Sequence, residues 1–285
     1  MKIETLSVFP QLFSGASSPV DSSIIGRARA AGLVEITNHD LRDFTHDRHR
    51  TTDDEPYGGG PGLVMKVEPV FEALDKLIGA WPGARTRVYP HVIFFAPFGE
   101  RFDQSIAEVL ADYQHLIMVC GHYEGFDERV YERADRIISL GDFILTGAEL
   151  AAMCVIDAVC RLLPGVLGDE TSTLDESFNG ALLEYPQFTR PASYRGLQVP
   201  EVLLGGNHAQ IRQWRREQSI IRTARLRPDL LVRADLSASE RELAEQYVKL
   251  YDEQSNRQRH RRDEPGKCDC SDEPGDEPGD EQHDA

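Results

Sequence analysis

Two short apolar runs in this chain each stop at a glycine that opens onto an acidic, aromatic turn. His115-Leu116-Ile117-Met118-Val119-Cys120 ends in Gly121-His122-Tyr123-Glu124-Gly125-Phe126-Asp127. Arg136-Ile137-Ile138-Ser139-Leu140 ends in Gly141-Asp142-Phe143-Ile144-Leu145-Thr146-Gly147-Ala148-Glu149. A third cluster, Asp53-Asp54-Glu55-Pro56-Tyr57-Gly58-Gly59-Gly60-Pro61-Gly62, lies upstream. Strands buried on both faces read as uninterrupted apolar runs, and open α/β sheets bind ligands beyond the carboxyl ends of such strands. Neither G-x-G-x-x-G nor G-x-x-x-x-G-K-[ST] occurs, so an ordinary dinucleotide fingerprint and a P-loop are both excluded. The pattern predicts a nucleotide-like ligand held in an unusual cradle.

Composition sets the frame. A length of 285 residues predicts about two domains, and 40% hydrophobic residues suffice for a sizeable core. No apolar run approaches the ~20 residues of a membrane span, and Glu4 stands where a secretion signal would be apolar. Cys120, Cys154 and Cys160 fall in apolar segments, while Cys268 and Cys270 lie near the carboxyl end. Five scattered cysteines do not make a disulfide framework, so a reduced, cytoplasmic protein is expected. The net charge of −17 is unevenly placed. Residues 263–285 hold ten acids against Lys267 alone, whereas residues 203–262 carry thirteen Lys/Arg against eight Asp/Glu. Arg212, Arg215, Arg216, Arg222, Arg225 and Arg227 crowd around Trp214 there. Phosphate attraction depends on local potential, screened beyond about 8 Å at physiological salt, so the acidic total does not exclude RNA.

Strand and helix signals alternate through the first part of the chain. Strands are predicted at Ile3–Phe9, Val34–Asn38, Val92–Phe95, His115–Cys120 and Arg136–Leu140. Helices are predicted at Ser22–Ala31, Val67–Ile78, Asp103–Ala111, Asp127–Ala134 and Ala148–Leu163, with a polar loop over Asp43–Gly62. The alternation implies an α/β domain built on a mostly parallel sheet. Helices at His208–Arg222 and Ser237–Tyr251 predict a second, helical domain. The expected organisation is an α/β domain at 1–163, a linker at 164–191, a helical domain at 192–262 and an acidic tail at 263–285. Asp-Glu-Pro-Gly recurs three times in that tail, which cannot bury a core and is expected to be disordered.

Several segments carry chemistry. Asp43-Phe44-Thr45-His46-Asp47-Arg48-His49-Arg50 mixes imidazoles, arginines and acids. No Cys or third His stands at ligand spacing, so no metal site is expected; basic side chains meeting phosphate, with Asp53 and Asp54 orienting them, is the functional reading and a solvated loop the plain one. The glycines at 58–62 suit either a flexible turn or close approach to a base. Asp127 is placed to cap the element after the Gly121 turn. Asp175 and Glu176 read by themselves as solvated acids, and Arg161 as a cation at a helix carboxyl end.

Taken together, these segments resemble the bacterial tRNA (guanine-N1)-methyltransferases of the SPOUT class. The resemblance covers about residues 1–255. It rests on Ser7–Pro10, Asp43–Arg50, Pro56–Gly62, Gly121–Val130, Gly141–Glu149, Pro164–Gly168, Tyr185–Pro191 and Val202–His208 in order. It implies an α/β fold with a deep C-terminal trefoil knot, a small helical C-terminal domain and a homodimer. The implied activity is S-adenosylmethionine-dependent methylation of N1 of the guanosine 3′-adjacent to the anticodon of tRNA. The implied cofactor-binding residues are Phe94, Phe95, Ala96, Pro97, Gly121, Tyr123, Glu124, Leu140, Gly141, Asp142, Phe143, Ile144 and Leu145. A linker carboxylate is the implied general base: the family places an aspartate directly before Ser-Phe in the order acid-Asp-Ser, whereas here that slot is held by Glu176 with Asp175 beside it. Arg161 matches the arginine expected to stabilise charge on guanine O6. His46, Arg48, Asp53, Gly59, Arg212, Arg215 and Arg216 are the expected RNA contacts. The family also uses Mg²⁺, for which no ligand set is apparent. Two readings stay open on these grounds: a SPOUT enzyme with another target base or a ribose 2′-hydroxyl, and a non-catalytic RNA-binding protein.

Overall fold

A computed structural model describes residues 1–79, 89–168 and 176–263. Asp175 and residues 264–285 of the acidic tail lie outside the described residues. Contacts divide the chain into two compact units, Met1–Asp175 and Glu176–Ala285.

The first unit runs β1 (Lys2–Ser7), α1 (Ser23–Ala30), β2 (Glu35–Asp40), β3 (Asp53–Asp54), β4 (Val64–Met65), α2 (Val67–Ile78), β5 (His91–Arg101), α3 (Gln104–Ala111), β6 (His115–Val119), β7 (Arg136–Ser139) and α4 (Glu149–Cys160). Five strands form one sheet in the order β2-β1-β6-β5-β7, all pairs parallel. Alternate side chains of a strand point to opposite faces, and here both faces are covered. Ile3, Ile93, Leu116 and Met118 pack with residues of α1, α3 and α4 on one face. Leu6, Val92, Phe94, Ile117 and Val119 pack with Val70, Ala73 and Leu74 of α2 on the other. This double burial is why the strands read as unbroken apolar runs.

Several elements of the first unit differ from their sequence expectation. β5 extends to Arg101 instead of stopping at Phe95, because its ladder with β7 shifts register between Phe95 and Glu100, both opposite Ile138. Pro97, in the middle of that shift, cannot donate to a ladder, and Gly99 after it lies so close to β7 that a Cβ there would fall 2.7 Å from Ile137 O. The segment expected as an α-helix at Asp127–Ala134 is a 3₁₀ helix over Glu128–Arg133, capped by the Asp127 carboxylate accepting the Arg129 N–H. α4 stops at Cys160, with Arg161 as its carboxyl cap.

Glu4 is the buried acid of the sheet. Its carboxylate accepts from His115 Nε2 at 2.7 Å and His39 Nε2 at 3.2 Å, and Lys2 Nζ lies 3.0 Å away. Burial by itself would raise its pKa, but the hydrogen bonds from His115, His39 and Lys2 outweigh burial and hold it well below the ordinary carboxylate range. A carboxyl lowered on folding stabilises above its unfolded pKa of ~4.3, and that stability fades as pH falls toward the folded value. Glu4→Gln is therefore expected to cost about 3 kcal/mol at neutral pH and to flatten the loss of stability below about pH 4. Urea midpoints measured from pH 7 to pH 3 check this; parallel curves for the two proteins would refute it.

The second unit contains β8 (Ser193–Tyr194), β9 (Leu197–Gln198), α5 (Glu201–Leu204), α6 (His208–Leu226) and α7 (Ala238–Asp263). Leu182, Ile220, Ala234, Leu236 and Ala244 form its core, and the Leu183 N–H donates to Thr223 Oγ1 at 2.8 Å. The Asn207 side chain caps α6 by accepting from the N–H groups of Ala209 and Gln210. Ser237 and Glu240 form a reciprocal capping box before α7. Both helices run past their predicted ends, to Leu226 and Asp263, since no breaker intervenes before Pro228 and Pro265.

Candidate functional site

Parallel pairing brings the carboxyl ends of β5, β6 and β7 to one edge of the sheet, and the glycine turns that follow them enclose a cavity of about 580 Å³. Its walls come from Phe95–Phe98 in the β5 excursion, Gly121–Phe126 after β6, Ser139–Gly141 at the end of β7 and Phe143–Ala148 before α4. Phe95, Ala96, Pro97, Gly121, Tyr123, Glu124, Leu140, Gly141, Phe143, Ile144 and Leu145 all line it. Two residues expected with them do not. Phe94 points to the other face of β5, wholly buried, with its ring edge-on to Phe126 and Tyr131. Asp142 turns outward, its side chain 96% exposed and 3.4 Å from Arg101.

Behind the cavity wall lies a buried constellation that sequence reasoning missed, of which His122 lines the cavity. Ser7 Oγ donates to Glu149 Oε1 at 2.5 Å, and His122 Nε2 lies 3.2 Å from Glu149 Oε2. Glu149 is buried, at the first turn of α4, where the helix dipole favours an acid. The His122 ring is held from a second side by an edge contact with Phe9 at 4.8 Å. Gly147 permits this packing. A Cβ there would fall 2.1 Å from His122 Nε2 and 2.5 Å from Glu149 Oε2. Burial, followed by the Glu149 carboxylate, pushes the Cys120 thiol well up, so it is an inert core residue. Tyr131, on the cavity wall, is pushed up to about 12 by burial and then by Glu128, and so presents a neutral hydroxyl.

The upstream glycine-acid cluster reaches the same place. β3 and β4 pair as an antiparallel ribbon, and β4 docks on the β6 turn through Met65 N–H to Gly125 O and Asp127 N–H to Met65 O, both 2.9 Å. Glu124 rests against Gly62, where φ is +81° and an added Cβ would lie 2.5 Å from its carboxylate. Burial and the hydrogen-bonded Asp53 carboxylate raise the Tyr123 hydroxyl, with Arg42 opposing. Asp53 therefore stands at the rim of the cavity. His46 and Arg48 are exposed farther along this loop, with His46 Nε2 2.7 Å from Glu72, and Gly59 opens to free space.

Comparison with known proteins decides the family. Residues 1–233 match the family described as tRNA (Guanine-1)-methyltransferase TrmD. A protein of Desulforudis audaxviator named tRNA (guanine-N(1)-)-methyltransferase is 52% identical over 249 residues, 87% of this chain and 97% of that protein. Proteins of the same name from Moorella thermoacetica and Geobacillus kaustophilus are 51% and 47% identical, over 86% and 87% of this chain and 96% and 99% of theirs. The chain belongs to the tRNA (guanine-1)-methyltransferase family.

In this family member the remaining expected site residues are not among those that line the cavity. Ala148 and Ala151, near the amino end of α4, line the cavity. Arg161 caps the other end of that helix, roughly 18 Å from Glu149 at 1.5 Å per residue. Glu176 is partly buried in the second unit. Arg212 is exposed. Arg215 stacks its guanidinium 4.7 Å over the Tyr185 ring. Arg216 is engaged within its own unit, donating to Glu240 Oε1 at 2.8 Å and to Asp235 O at 2.7 Å. Among the described residues no group of three or more His, Cys, Asp or Glu is arranged to hold a metal, and no helix is long and apolar enough to cross a membrane.

Proposed function

We propose that this chain is a cytoplasmic, homodimeric enzyme that methylates N1 of the guanosine 3′-adjacent to the anticodon of tRNA. The observation that carries the reading is the convergence of the β5 excursion and the two glycine turns after β6 and β7 on one apolar-walled cavity at the strand ends, in a chain that belongs to this family. The cavity has the volume of small-molecule pockets, ~300–1,000 Å³. Bound there, S-adenosylmethionine supplies the methyl group to be transferred. Apolar Phe95, Leu140, Ile144 and Leu145 suit the adenine of such a donor, and the polar rim at Tyr123 and Glu124 suits its charged end. The family's deep knot is the proposed reason that the donor lies bent.

The acceptor nitrogen of guanine carries a proton at neutral pH. A linker carboxylate, Glu176 by preference and Asp175 as the contender, removes that proton as the N1–methyl bond forms. Arg161 stabilises the negative charge that deprotonation places on O6. A second copy of the chain is proposed to bring these groups to the cavity, since Arg161 sits a helix length from it. The exposed stripe of α4 supports the dimer: Leu150 is 58% exposed, and Cys154 follows it exposed one turn on, an apolar strip that a partner would cover. Arg161→Ala is expected to lower the methyl-transfer step about 10²-fold with donor affinity nearly unchanged. Equal loss of donor binding by calorimetry would assign Arg161 a structural role instead. The described residues offer no ligand set for Mg²⁺, and no step is assigned to it.

Phosphate attraction falls to the exposed Arg212, with Arg48 and His46 on the other unit. Arg212→Ala is expected to reduce the salt slope of tRNA binding by about one. Arg216→Ala acts differently. Arg216, the main cause, with help from the Ser237 N–H and hydroxyl, lowers Glu240 to about 2, so its removal costs stability, roughly 1 kcal/mol after solvent screening. Binding titrations across salt, beside thermal melts, separate the two. The reading as a whole is tested by methyl incorporation into tRNA transcripts carrying G or A beside the anticodon, with nucleoside mass spectrometry of the product and the oligomeric state from light scattering. Incorporation into the G transcript alone supports it. No incorporation at saturating donor overturns it.

A further inference from the structure

The second unit holds a cavity of its own, about 390 Å³, between the Tyr185–Arg190 segment, α5 and α6. From its composition we infer that it takes one unpaired nucleobase of an RNA strand, at a site separate from the methyl-donor cavity. This rests on the proposal that the protein acts on tRNA. The lining combines Tyr185, Phe188, Arg190, Leu204, Trp214 and Arg215, that is, aromatic faces interleaved with guanidinium groups and no acid. Tyr185 lies beneath the Arg215 guanidinium and fixes its plane. Arg215 Nε is buried and finds no hydrogen-bond partner among the described residues. A buried donor left unpaired is costly, and a ligand that brings an acceptor relieves that cost.

Phe188 and Trp214 stand 6.4 Å apart, tilted at 52°, with Phe188 47% exposed. Its free face is a stacking platform. Bases stack on such aromatic faces and on arginine planes, and their edges offer acceptors to the guanidinium fork. The surroundings favour a polyanion. Arg190 and Arg212 are exposed beside the cavity, and Arg195 on the β8–β9 hairpin lies over the Tyr194 ring. A protein segment would satisfy the apolar lining but gains little from three exposed arginines, whereas a single RNA strand uses both.

Trp214 reports on this cavity, and Trp81 is the chain's other tryptophan. W81F protein is titrated with a short single-stranded oligoribonucleotide and, in parallel, with an abasic strand of equal charge. Saturable quenching by the first and not by the second is expected. Arg215→Met and Arg215→Lys should each weaken the base-bearing strand about tenfold, the loss expected for one base contact. Lysine keeps the charge and loses the planar fork. Equal quenching by the abasic strand, quenching unchanged in both Arg215 variants, or quenching that follows protein concentration alone overturns the inference. Methyl transfer to tRNA, assayed on the same W81F protein, separates the two readings. Transfer without quenching removes the base pocket alone. Quenching without transfer leaves the pocket and removes the proposed enzyme activity.

Discussion

Changing Glu176 to Gln and Asp175 to Asn together is expected to slow methyl transfer about 10²–10⁴-fold, the range supplied by a positioned general base, with donor affinity unchanged. Glu176→Gln alone should account for most of this. The backbone that follows Glu176 is held in a closed turn: the Ser177 hydroxyl accepts the Glu184 N–H at 3.0 Å, and the Phe178 N–H donates to Leu182 O at 2.7 Å. A carboxylate at its start is thereby fixed at the root. Glutamate is one methylene longer than aspartate, and a displacement of ~1 Å matters at a reacting centre, so Glu176→Asp should also lose activity, though less. Single-turnover rates on a tRNA transcript measure all four proteins. Full activity in the double variant would remove the linker from the chemistry.

The second large effect is expected at Glu149. Glu149→Ala leaves Ser7 Oγ and His122 Nε2 without their partner in a buried site, at ~1–3 kcal/mol each. A total near 3 kcal/mol corresponds to a fall in melting temperature of about 6–12 °C for a unit of this size. Donor affinity should fall with it, because His122 is part of the cavity wall. Glu149→Gln keeps an acceptor for Ser7 and a donor for the imidazole, so it should recover most of both. Thermal melts with and without donor, beside donor calorimetry, distinguish the outcomes. An alanine variant that melts with the parent would show that the triad carries no stability.

The parts of this architecture that were legible in the sequence are those with local causes. Strands buried on two faces must be apolar throughout, so β6 and β7 could be read from composition alone, and the glycines that end them marked where the cavity would open. Period-two geometry also separates two residues that the same reading grouped. Phe94 and Phe95 are consecutive strand residues whose side chains point to opposite faces, and Phe95 is the one that lines the cavity. The long-range chemistry left no local trace. Glu149 and Ser7 are 142 positions apart, and Glu149 looked like an ordinary acid at a helix start. His122 sat unremarked between two residues already assigned to the cavity. Arg216 showed the converse: one arginine among many in sequence, it proved to be committed to Glu240 and Asp235 by the fold.

The bond between Ser7 and Glu149 has a bearing on synthesis at the ribosome. β1 emerges first yet pairs with β6, and only when the start of α4 has been made can Ser7 bond Glu149 and Ala148 and Ala151 complete the wall of the first cavity. A nascent fragment ending just before residue 149 would have all five strands of its sheet and, on the proposed function, an incomplete site for the methyl donor. Donor capture by the growing polypeptide should therefore begin abruptly, after the first 150 or so residues have left the exit tunnel, rather than build up strand by strand.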